Sequence, residues 1–229
     1  MQEMITTFDT MPIGVYCRVL DVLEDKDRDE LMTQVGLVAA LSRCTEQEVL
    51  DLPVPEFSAR THQLGFLETP PAEHVPDALP DRITLAGVEY EVHADPEGIN
   101  TAQYVDYQHL VEQGRDGWPG LVALCIVPVG KGYGHTGPGD PLAYDIGKVR
   151  RDIADYMPVA QANGFMAFFL RRHVEYVRRS LTSLKAELPR IRDKEQRAKA
   201  RRQVSRAESA LAVLTAFLLP SDGLTPSSR

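Results

Sequence analysis

Apolar residues recur at helical spacing along most of the chain and alternate in one short stretch. Residues 12–23 (PIGVYCRVLDVL) place Tyr16, Val19, Leu20 and Leu23 at i, i+3, i+4 and i+7, the pattern of an amphipathic helix. After the acidic turn EDKDRDE, Leu31, Val35, Val38 and Leu41 again follow helical spacing. Thr45 and Glu48 have the spacing of a capping box, in which each side chain accepts a backbone N–H of the other's turn. The short helix TEQEVLDL that they open stops before Pro53, and Pro55 suits the first turn of another helix, PEFSARTHQLGFL. Residues 1–67 therefore read as a cluster of short helices. The proline-rich stretch 68–81 (ETPPAEHVPDALPD) excludes helix and reads as a linker or wrapped loop.

The period then changes. Ile83, Leu85, Val88, Tyr90 and Val92 alternate around Ala86-Gly87, which predicts a β-hairpin with a tight glycine-containing turn. It is the only clear strand signal, and a lone hairpin needs helices or a second copy to pack on. Asn100 or Thr101 can cap the next helix, TAQYVDYQHLVEQ, whose apolar stripe includes Tyr104, Tyr107 and either Leu110 or Val111; Gly114 and Gly117 end it. The run WPGLVALCIVPV is apolar nearly all round, so a buried helix is expected from Pro119 to Pro128. Residues 129–141 (VGKGYGHTGPGDP) hold five glycines and predict a flexible loop. DIGKVRRDIADYM reads as a short helix ended by Pro158, completing a segment over 82–158.

Residues 159–219 carry the strongest pattern. Leu170, Val174, Val177, Leu181, Leu184 and Leu188 keep a strict 4-3-4-3-4 spacing, and so do Ala200, Val204, Ala207, Leu211, Leu214 and Leu218. Folding the chain back near residue 194 sets 188 against 200, 184 against 204, 181 against 207, and so on to 170 against 218. That is the register of an antiparallel helical hairpin, with large residues facing small ones near the turn. The alternative is a parallel coiled coil with another subunit. The tail 220–229 reads as disordered. The predicted fold class is mainly α with one small β-hairpin: a helical cluster plus a long antiparallel C-terminal helical hairpin.

Charge changes this picture. The chain has 229 residues and a net charge of −8, yet residues 171–206 hold 13 Lys/Arg against 4 Asp/Glu while the rest holds 12 against 29. A basic element is thus attached to an acidic body. Such asymmetry fits a solvated helix face, nucleic-acid contact, or complementarity between copies. Arg190, Arg192, Arg197, Arg201 and Arg202 gather around the hairpin tip and are candidate partner-binding residues. Between residues 178 and 216 no aromatic is interleaved, which counts against a single-strand stacking platform. No apolar run reaches the roughly 18–20 residues of a membrane span, and the N-terminus lacks a secretory pattern. Three distant cysteines, Cys17, Cys44 and Cys125, suit a reducing compartment.

Chemistry-bearing patterns are sparse. GKGYGHTGPGD is glycine-rich but contains no GxxxxGK[ST] and no strand–helix unit after its glycines, so no phosphate loop is expected. The six histidines, His62, His74, His93, His109, His135 and His173, form no HxH or HxxxH pair, and no metal site is expected. No GxSxG is present, and Asp106 and His109 share a helix face with no nucleophile beside them. Neither an enzyme nor a cofactor is expected. Tyr104, Tyr107, Trp118 and Tyr133 cluster in sequence; they are either core or a partner-binding patch, since Tyr and Trp anchor interfaces.

The N-terminal segment has a recognisable cadence. It runs FDTMPIGVYCRVLDVL, an acidic break, DELMTQVGLVAALSRCTEQEVLDLPVPEFSART, then LGFLETPP. The pieces Leu37–Ser42, Thr45–Pro53 and Pro55–Phe57 resemble the tail assembly chaperones of long-tailed bacteriophages. ITLAGVEYEVHADPEGINTAQYVDYQHL and DIGKVRRDIADYMPVAQANGFMAFFLRRHVEYVRRSL look like chaperone-like phage proteins of gut Bacteroidetes. The resemblance covers residues 5–184, and the basic hairpin over 185–218 departs from the smaller chaperones. It implies a non-enzymatic task in the host cytoplasm: binding the tape measure protein, recruiting tail tube subunits, and in some members existing in short and frameshifted long forms. A virion structural subunit (neck, connector or tail component) and a nucleic-acid-binding protein that uses the basic hairpin tip are the alternative expectations, and a second copy of the chain is a further candidate partner.

Overall fold

A computed structural model of the chain describes residues 3–69, 78–93, 100–135, 137–190, 193, 196, 198–202 and 204–205; at 169, 170, 172, 173, 176 and 190 it describes the backbone alone. The fold is mainly helical with one small antiparallel sheet. In order come α1 (Ile13–Glu24), α2 (Glu30–Ser42), α3 (Glu46–Leu50), α4 (Val54–Thr61), β1 (Arg82–Leu85), β2 (Val88–Val92), α5 (Thr101–Glu112), α6 (Trp118–Ala123), β3 (Ile126–Pro128), α7 (Ile146–Tyr156) and α8 (Val159–Glu187). Two compact units emerge: residues 1–94 with 99–166, and residues 95–98 with 167–229.

Local chemistry accounts for the helix starts. Asp29 accepts from the Met32 N–H at the head of α2, and Asp145 accepts from Lys148 at the head of α7. Thr45 and Glu48 form the expected capping box, and the N–H and hydroxyl of Thr45 hold the Glu48 carboxyl below its ordinary pKa. Asn100, rather than Thr101, caps α5, with Gln103 returning to it. Past Thr61 the predicted helix PEFSARTHQLGFL tightens into a 3-10 helix over His62–Glu68. Of the linker, residues 70–77 lie outside the described residues, as do residues 206–229 with Ala207, Leu211, Leu214 and Leu218 of the second heptad seam and the tail.

The hairpin forms as expected, with register Ile83↔Tyr90 and Leu85↔Val88. Ala86 (φ 50°) and Gly87 (φ 78°) both take positive φ, the requirement of a tight primed turn. The sheet has a third strand that the apolar run concealed. β3 pairs antiparallel with β2, Val92↔Ile126 and Tyr90↔Pro128. The buried helix expected from Pro119 to Pro128 therefore ends at Ala123. Three strand residues that continue a helix's apolar run show no alternation of their own, and Pro128 is tolerated because β3 is an edge strand.

The first unit is one core, so its N-terminal helices are not a domain apart. The segment before α1 is tied to the start of α8. Ile13 N–H donates to Met157 O (2.9 Å), Val159 N–H donates to Met11 O (2.7 Å), and Pro12 and Pro158 form a β-bridge. Met11, Ile13, Val19, Val38, Leu41, Tyr90, Leu124, Ile126, Ile153, Met157 and Phe165 are all fully buried. Each such side chain contributes on the order of 1.5–3 kcal/mol. Gly14 sets the α1–α7 approach: a Cβ there would lie 2.7 Å from Ala154 O.

In the second unit, the first heptad seam lies along α8, where Val174 and Leu181 are buried, as is Val204 on the helical stretch that follows residue 198. Val177 and Leu188 are half-buried and Leu184 is 38% exposed. Pro189 falls in a 3-10 turn over Leu188–Arg190 that ends α8.

Candidate functional site

The four aromatics that cluster in sequence do not form one exposed patch. Tyr107 is buried, because the inward face of α5 consists of Gln103, Tyr107 and Leu110. Tyr133 is buried too. Tyr104 stays 49% exposed and, with Val111 one heptad on, is the uncovered rim of that apolar face. Trp118 is half-buried at the head of α6, its position fixed by Pro119 in the first turn. A partner can reach Tyr104 and the outer side of Trp118; Tyr107 and Tyr133 belong to the core.

Burial of Tyr133 follows from the glycine-rich loop, which is ordered by its own bonds rather than free. Gly132 N–H donates to Leu142 O (2.9 Å), Lys131 Nζ to Pro141 O (2.9 Å), and His135 Nδ1 lies 2.8 Å from Asp140 Oδ2. Asp140 in turn accepts from the Leu142 N–H, and that bond with His135 holds its carboxyl below the ordinary range. Tyr133 Oη donates to Asp106 Oδ2 (2.5 Å) on α5, and Asn100 Nδ2 donates to Tyr133 O. Arg150 of α7 lies 3.7 Å from the same carboxylate. Burial, with Asp106 adding to it, drives the Tyr133 phenol far above its ordinary pKa, and burial pushes Tyr144 up to about 12. These phenols stay protonated at any physiological pH, so the arrangement holds α5, the loop and α7 together.

A different aromatic group does reach the surface. Phe66, Phe8, Tyr16 and Trp118 are all half-buried and touch in sequence. Phe66 and Phe8 meet edge-on at 5.2 Å, Phe8 and Tyr16 at 6.0 Å, and Tyr16 and Trp118 lie tilted at 6.5 Å. The 3-10 helix after α4 supplies Phe66, the N-terminal segment Phe8, α1 Tyr16 and α6 Trp118. Leu20, half-buried, and Leu23, 50% exposed, extend the row along α1. Elsewhere in the first unit, Glu3, Met4, Thr6, Glu56, Ala59, Arg60 and Gln63 line a cleft of about 490 Å³. Arg60 donates to Ser42 Oγ (3.2 Å) and Glu56 (3.0 Å) there.

The row was only partly legible. The i, i+4, i+7 spacing of Tyr16, Leu20 and Leu23 marks an apolar stripe, but inward burial was its natural reading. The neighbours of Tyr16 come from residues 8, 66 and 118, and no local pattern links them.

Of the basic candidates, Arg201 and Arg202 are exposed on the helical stretch through 198–202, beside exposed Lys199. Arg192 and Arg197 lie outside the described residues, and so does the side chain of Arg190. Among the described residues, no group of three His, Cys, Asp or Glu is placed to hold a metal ion, and no helix is long and apolar enough to cross a membrane. Burial raises the thiols of Cys17 and Cys125 to about 11 and about 12.

No family model, curated protein or solved structure matches the chain.

Proposed function

We propose that the chain is a non-enzymatic morphogenesis protein of a long-tailed bacteriophage, a tail assembly chaperone that acts in the host cytoplasm and holds the tape measure protein, tail tube subunits or both. The observation that carries this reading is the half-buried row Phe66–Phe8–Tyr16–Trp118 with its extension along α1. The sequence resemblance supplies the identity of the client. An amphipathic helix presents anchors at i, i+3, i+4 and i+7, about 5–6 Å apart, and rings spaced 5.2–6.5 Å apart offer matching contacts. Aromatic anchors of this kind contribute most when a partner completes their burial.

Co-expression with the tape-measure-like chain of the same gene cluster tests the reading. Recovery of a soluble, stoichiometric complex is expected, together with at least a tenfold loss of affinity in Phe8→Ser/Trp118→Ser, since hot-spot aromatics typically each account for about 2 kcal/mol or more. The protein should also be missing from purified particles by mass spectrometry. Stoichiometric presence in the particle, with no affinity for the client, moves the assignment to a virion structural subunit.

A further inference from the structure

At the closed end of the α1–α2 pair, apolar and acidic groups share one surface. Leu23 in the last turn of α1 is 50% exposed and Leu31 in the first turn of α2 is 57% exposed. Residues 21–30 carry six Asp/Glu against two Lys/Arg. Arg28 is committed to Asp25 (3.1 Å) and Glu46 (2.7 Å) and Arg115 to Asp21 (2.7 Å) and Glu24 (2.5 Å), which leaves the exposed Lys26 as the remaining cation of this stretch. Asp27 and Glu30 are exposed and meet no cation among the described residues. Burying the two leucines therefore favours an occupant that brings positive charge with its apolar surface.

The same chain contains such an element. Residues 171–206 hold 13 Lys/Arg against 4 Asp/Glu. Arg178 on α8 and Lys199, Arg201 and Arg202 beyond it are exposed, and Leu184 of α8 is 38% exposed. We infer that the occupant is a second copy of this chain: the basic C-terminal helical arm of one copy seats on the Leu23–Leu31 surface of another. Exposed unlike charges steer the encounter and fix its orientation, and the leucines supply the area removed from water. The contact meets the extension of the aromatic row at Leu23, so it is read on the protein without its client; Leu31 and the acidic residues lie outside that row.

Two charge-swapped full-length proteins test it. One carries Asp27→Lys with Glu30→Lys and leaves the α2 cap Asp29 in place; the other carries Lys199→Glu, Arg201→Glu and Arg202→Glu. Their masses are read by light scattering on nuclease-treated protein, with circular dichroism confirming the fold. The unaltered protein is expected at twice 25.5 kDa or more at about 0.01 M salt and as a monomer at about 1 M, where the Debye length has fallen from about 30 Å to about 3 Å. Each swapped protein alone should be monomeric at low salt. An equimolar mixture should associate again, since one contact then joins an unaltered arm to an unaltered surface. A monomer at low salt, association that survives either swap, or loss without recovery in the mixture overturns the inference. So does low-salt association that vanishes on nuclease treatment, which reassigns the basic arm to nucleic acid.

Discussion

The thiols and phenols of the core are shifted by burial first and by neighbouring charge second. Cys17 donates weakly to Arg115 O and Cys125 to Leu121 O, and desolvation is the leading cause of both raised pKa values. A thiol titrating at about 11 or 12 is protonated near neutrality, and the thiolate is the nucleophile. We therefore expect maleimide at pH 7 to label the half-buried Cys44 alone in the native protein, and all three cysteines in denaturant. Native labelling of Cys17 or Cys125 at the rate of Cys44 would contradict the packing described for α1 and α6. The burial of Cys125 was legible from the apolar run around it. That of Cys17 was not, because α1 places Ile13, Val15, Cys17 and Val19 inward together, on more of its circumference than a single amphipathic stripe.

Among elements, the α1–α7 crossing is the most sensitive to volume. Gly14→Ala gains roughly 1 kcal/mol of helix propensity. It also places a methyl 2.7 Å from Ala154 O and 3.0 Å from Ala154 Cβ, where backbone rather than a flexible side chain must yield. Overpacking of this kind typically costs about 1–3 kcal/mol, so a net loss of up to about 2 kcal/mol is expected in urea unfolding. A stabilised variant would mean that the helices separate at little cost. Elements with local signals were legible: the Thr45/Glu48 box, the Ala86-Gly87 turn and the long periodic α8 all lie where spacing puts them. β3 was not, since its pairing with β2 is a contact across more than thirty residues of chain. The order of the glycine-rich loop was equally hidden, because His135, Asp140 and Tyr133 find their partners only in three dimensions.

At the level of the whole molecule, domain limits were the least legible feature. Composition changes sharply at residues 68–81, which reads as a linker, yet the helices before it and the sheet after it complete one core. Backbone bonds from Ile13 to Met157 and from Val159 to Met11 cross that apparent boundary. Fragments 1–67 and 82–166 are accordingly expected to lack native circular dichroism and cooperative unfolding when each is made alone. Cooperative melting of 1–67 by itself would make that helical cluster a folding unit of its own.

The bridge between Pro12 and Pro158 also dictates when this protein can finish folding. Ribosomes add about 5–20 residues per second, so roughly 7–30 seconds separate the synthesis of α1 from that of the strand-like segment it must pair with. Throughout that interval the nascent N-terminal helices carry Met11, Ile13 and Val19 without their final cover. Completion is therefore a late, long-range event in translation. Codon choice or pauses between residues 13 and 159 should affect yield more than changes elsewhere in the gene.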